Sequence, residues 1–103
     1  MTLPNFGPFG DPIATRELTS AATGTTVIVD IGVPRPYPEN GMWVCPYRIT
    51  GIEAAPIAGS IAGVDSMQAL QQCVSVIGDV LAATGHPVTF HGGDPGFGHL
   101  SDR

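Results

Sequence analysis

Arg16, Asp30 and Arg48 are the residues of this chain whose types and spacing come nearest to a binding site. Read as strand positions, they can line up across adjacent strands on one face of a sheet. There, two guanidinium groups and a carboxylate would anchor an acidic ligand or a partner chain. The simpler reading of the same three is a set of cross-strand ion pairs on a wet surface, worth ~0.2–1 kcal/mol each. No catalytic residue is assigned, because no nucleophile–base pair is legible along the chain.

Three other groupings invite chemistry and are weaker. His86, His91 and His99, with Asp94 and Asp102, can be assembled into a metal site on paper. His91 and His99 fall in a glycine-rich tail, however, without the fixed spacing that a helix provides, and solvated loop histidines are the default. Cys45 and Cys73 both fall at apolar positions, where a thiol is a small inert hydrophobe rather than a nucleophile. The stretch Gly59-Ser60-Ile61-Ala62-Gly63 runs into a helix start, yet it lacks the Lys and Ser/Thr of a phosphate loop. Asp65 would also place its own negative charge there. Neither a metal nor any other cofactor is expected.

The elements that must position these residues are marked unequally. Gly63 to Gly85 reads as one amphipathic helix. At ~100° per residue, Met67, Leu70, Cys73, Val74, Ile77, Val80 and Leu81 fall on one side, and Gln68, Gln72, Ser75 and Asp79 on the other. Asp65 is the expected N-cap, with Gln68 reaching back, and Gly85 followed by Pro87 is the stop. A helix of this length is marginal alone in water, so it needs a sheet beneath it.

Thr25–Ile31 and Trp43–Ile49 are the strong strands, dense in β-branched and aromatic residues. Trp43, Cys45, Tyr47 and Ile49 share one face. Pro46 cannot donate to a ladder, which predicts an edge strand or a bulge. Ile13–Thr19 is a weaker strand and Val88–Phe90 a short one. Pro34, Pro36 and Pro38 predict an extended loop that joins no ladder. Residues 51–64, small and apolar, read as a crossover up to the helix.

The resulting class is α+β, in the order β-β-β-α-β: a small, mostly antiparallel sheet with one long helix packed on one face. A right-handed crossover would set the last strand parallel to the third, beside the first. The reverse face would carry Thr26, Ile28, Asp30, Val44 and Arg48, with Arg16 and Leu18, and nothing in the chain to cover it. Residues 1–12 form an arm with Phe6 and Phe9, 13–90 the domain, and 91–103 a loosely held tail.

Composition narrows the partners. Of 103 residues only 13% are charged, the four basic ones are all arginine, and the net charge is −5. Nucleic acid and anionic membranes both require concentrated positive charge and are excluded as partners. The N-terminus lacks the basic and apolar regions of a signal peptide, and two core thiols suit a reducing compartment, so the cytoplasm is the expected location. Low charge weakens the repulsion that keeps chains apart. A homodimer or another protein is therefore the expected partner, through the bare face or a strand edge. The alternative is a small-molecule-binding domain or enzyme with a polar cleft on that same open face.

Trp43, Cys45, Tyr47, Ile49 and Gly51, followed by Gly63-Val64-Asp65-Ser66 and Gln68-Ala69-Leu70, resemble the signature of a family of small uncharacterised bacterial α/β domains. The resemblance spans roughly residues 13–90 and implies a compact domain with no assigned activity.

Overall fold

A computed structural model describes residues 2–3 and 9–98. Phe6, His99, Asp102 and Arg103 lie outside the described residues. The elements run β1 (Thr2–Leu3), β2 (Ala14–Ser20), β3 (Thr26–Ile31), β4 (Arg35–Tyr37), β5 (Met42–Thr50), β6 (Ile57–Gly63), α1 (Ser66–Ala83) and β7 (Val88–Thr89). The strands form one sheet in the order β1-β6-β5-β3-β2-β7, with β4 paired to β5 beside the end of β3, and every pairing is antiparallel. The class is α+β, with one long helix lying on the sheet, as the pattern predicts.

Three strands stand beyond the predicted order. β6 occupies the presumed crossover, because glycine and alanine are what this position requires. Gly59 and Gly63 lie opposite Tyr47 and Trp43 in the register, so each large ring has a partner with no side chain. Gly63 also lies directly beneath the backbone of Ala69. β4 lies in the proline stretch. An edge strand bonds its single neighbour through every second residue, so prolines at alternate places can all face outward. β1 pairs with β6.

Pro46 does not mark an edge strand, since β5 is central. β3 pairs with Tyr47–Thr50 and β4 with Met42–Val44, so Pro46 sits at the corner between them, where its missing N–H breaks no ladder. The extra strand β6 also reverses the chain before the helix. β7 consequently runs antiparallel to β5, not parallel to it, though it does lie beside β2.

The helix caps follow the sequence. The Gln68 N–H donates to the Asp65 carboxylate (2.7 Å), the Gln68 side chain accepts from the Val64 N–H (2.7 Å), and Gly85 takes φ +68°. The buried stripe differs. Ala69, Cys73, Ile77 and Leu81, four residues apart, form the ridge against the sheet, while Met67 is 66% exposed. Small residues lead this ridge because the helix start lies closest to the glycines of β6. Ser75 is buried rather than outward, on a flank where Gly78, one turn on, meets Phe97 and Gly98.

The core joins this ridge to Leu18, Val27, Val29, Ile31, Cys45, Tyr47, Ile49, Ile61 and Val88. Cys45 and Cys73 are both free and buried. The hydrogen bond it shares with Cys45, and then burial, push the Cys73 thiol well above its ordinary pKa, so it is neither a nucleophile nor a ready metal ligand.

The reverse face is not uniformly bare. At its β5–β6 end Val44 and Ser60 are buried, and Phe9 lies against Gly32 and the Arg48 guanidinium. At its β2–β3 end Thr15, Glu17 and Thr26 are exposed, and Ile13 is 49% exposed. No helix among the described residues is long and apolar enough to cross a membrane.

Candidate functional site

The register separates the three predicted site residues. Asp30 lies opposite Arg48 on one side and Thr15 on the other, all on the reverse face. The Thr15 hydroxyl donates to one Asp30 oxygen (2.6 Å) and an Arg48 N–H to the second (3.2 Å). Asp30 is thus buried with both oxygens engaged, and Arg48 also lies 4.4 Å from the Phe9 ring centroid. This is a cross-strand pair in which both carboxylate oxygens already accept a hydrogen bond, while the Arg48 side chain stays 37% exposed.

Arg16 is elsewhere. It faces the helix side, because its partner across the ladder is Val29, as Leu18's is Val27. Leu18 is accordingly a core residue. The Arg16 guanidinium lies 4.3 Å from the Phe90 ring centroid and 5.2 Å from that of Phe97, and it donates to the Pro95 carbonyl (2.8 Å). A cation over two aromatic faces, with one N–H on a carbonyl, clips the returning chain onto the edge of the sheet.

That returning chain, Phe90–Gly98, is ordered by local chemistry that a glycine-rich composition conceals. Phe90 and Gly93 exchange both backbone hydrogen bonds (3.0 Å each) around His91 at φ +51° and Gly92 at φ +80°, the geometry of a type I′ turn. The Gly96 N–H then donates to the Asp94 carboxylate (2.7 Å), closing a turn at Asp94-Pro95-Gly96. Packing therefore continues past residue 90, as far as Gly98.

Between this segment and the C-terminal half of α1 lies a pocket of about 420 Å³. Leu81, Pro87, Val88, Pro95 and Phe97 supply apolar walls, and Ala82 lines it from the helix surface. Two residues with polar side chains, His86 and Asp94, are also among the lining. A second cavity of about 210 Å³ lies on the Arg16 side of Phe97, so one ring separates the two. His86 Nε2 is 2.9 Å from the Ser20 hydroxyl, which also accepts from the Thr23 N–H (3.2 Å). Ser20 is only 1% exposed and does not line the pocket, so this pair orients the imidazole and is no nucleophile–base dyad.

The remaining sequence candidates do not converge. Gly59–Gly63 is strand rather than loop. Among the described residues, no group of three or more His, Cys, Asp or Glu side chains is close enough to hold a metal ion. Ser20 and His86 lie 66 residues apart, and the first is a turn-forming residue in sequence, so only the fold brings them together.

Among the described residues these features define an α+β domain with one long helix on the sheet, a β3–β5 ion pair that Thr15 of β2 also hydrogen-bonds, and a ligand-sized pocket under the returning segment. The match of residues 14–99 to the family described as Domain of unknown function (DUF6968) places the chain in that family. No curated protein and no solved structure matches it.

Proposed function

We propose that this chain is a non-enzymatic binding domain whose site is the pocket between α1 and the Phe90–Gly98 segment. The observation that carries the reading is the pocket itself: apolar walls, two polar side chains and a roof held down by Arg16. Its volume lies near the low end of the ~300–1,000 Å³ range of small-molecule sites. Among the described residues that line it there is no Ser, Thr, Cys or Lys. A small aromatic compound, 2-phenylethanol, is expected to raise the melting temperature. At about a hundred times its Kd, a ligand adds ~2.7 kcal/mol of stability. Ala82→Trp fills the pocket from the exposed helix surface at an expected helix-propensity cost below ~1 kcal/mol, and should abolish the shift. An equal shift in both proteins contradicts the site.

Self-association is the second reading, in a cytoplasmic setting. It is favoured by the outer edge of β2, where β7 pairs with Thr19 and Ser20 and, among the described residues, no strand pairs with 14–18. Ile13, half exposed beside that edge, is the apolar contact such a dimer would bury. We also take Trp43–Gly51 and Gly63–Leu70 as the signature of the bacterial family, because they form the close helix–sheet contact on which the fold rests.

A further inference from the structure

We infer that the pocket selects small ligands with a cationic head on a compact apolar body, a class that primary aralkylamines represent. This rests on the reading of the pocket as the binding site and adds the sign of the ligand's charge. Asp94, an exposed residue, is the one with a formally charged side chain among the described residues that line it. One Asp94 oxygen accepts from the Gly96 N–H, which fixes the carboxylate's orientation and leaves its second oxygen for an incoming donor.

Among the described residues, the arginine beside this segment does not line the pocket. Arg16 lines the smaller cavity on the far side of Phe97 and is committed to the Pro95 carbonyl and the rings of Phe90 and Phe97. Among the described residues a ligand carboxylate would therefore meet Asp94 directly, with the Arg16 charge set behind Phe97 and not in the lining, in a chain of net charge −5 that contains no lysine. His86 adds directionality. Its Nε2 is engaged with Ser20, so a ligand can use the other ring nitrogen. The walls of Leu81, Pro87, Val88 and Phe97 take an aromatic or cycloalkyl body.

The test uses the full chain and three probes of matched body: 2-phenylethylamine, 2-phenylethanol and 3-phenylpropionate, titrated calorimetrically at low ionic strength. The amine is expected to bind about tenfold more tightly than the carboxylate, the alcohol lying between, and added salt should weaken only the charged probes' difference. Asp94→Asn keeps an oxygen to accept from Gly96, so the turn survives. It should bring the amine's affinity down to that of the alcohol measured on the same variant, removing the preference for the charged head. Equal binding of all three, or an amine preference that survives Asp94→Asn, overturns the charge inference while leaving the pocket as the site. No binding by any of the three, with wild type and Ala82→Trp indistinguishable, overturns both.

Discussion

Ile77→Ala is expected to destabilise the protein by about 2–5 kcal/mol, the range for removing a fully buried aliphatic side chain. Ile77 is 0% exposed and is the third member of the Ala69–Cys73–Ile77–Leu81 ridge, where the helix presses on the sheet. A domain of this size loses roughly 4–8 °C in Tm for each kcal/mol, so the midpoint should fall well outside experimental scatter in a thermal melt. The comparison variant is Met67→Ala. Sequence periodicity places Met67 on the same apolar side, but it is 66% exposed and should change stability by less than about 0.5 kcal/mol. Equal losses in the two variants would mean that the helix packs on the stripe the sequence suggests.

The second large effect is expected at Gly63. Its φ is not in the left-handed region, so alanine should suit the local backbone and ordinarily gain ~0.5–1 kcal/mol over glycine. Here the sign reverses. A Cβ at this place would overlap the backbone nitrogen of Ala69 and come within 2.7 Å of its Cα, and neither can move without shifting the helix. Gly63→Ala should cost about 1–3 kcal/mol, measured by urea unfolding with an unchanged m value. A neutral or stabilising result would show that helix and β6 are further apart than described.

Glycine and alanine explain both why this protein folds as it does and why part of it is hard to read. The helix is legible because its signals are local: Asp65 at the start, Gly85 and Pro87 at the end, and aliphatic residues at helical spacing. β3 and β5 are legible because Val, Ile, Trp and Tyr fit a pleated surface. β6 is not, because its residues are chosen by what lies above and beside them. Gly59 and Gly63 make room for Tyr47, Trp43 and the helix, and propensity scales count that as weakness. β4 is hidden by prolines that matter only if the outer side of the strand needs donors.

The site was less legible than the fold. Asp30 and Arg48 do meet across the ladder, as alternation implies. Arg16 does not join them, because it shares a face of β2 with Ala14 and Leu18, and only the pairing with Val29 reveals that this face is the one turned toward the helix. The pocket could not be read at all. Its walls come from the end of a helix and a glycine-rich segment, and the two meet through an arginine some 80 residues earlier, whose carbonyl partner is Pro95 (a separation of 79). The signal that was present is Asp94-Pro95-Gly96 beside two phenylalanines, a turn former next to rings that need burial.

The most direct test of the binding site is residue-resolved. Uniformly ¹⁵N-labelled full-length chain, titrated with 2-phenylethylamine, should show dose-dependent amide shifts at Gly78, Ala82, His86, Val88, Asp94 and Phe97, on both walls of the pocket. Shifts confined instead to Thr15, Thr26 and Ile28 on the far side of the sheet would contradict it.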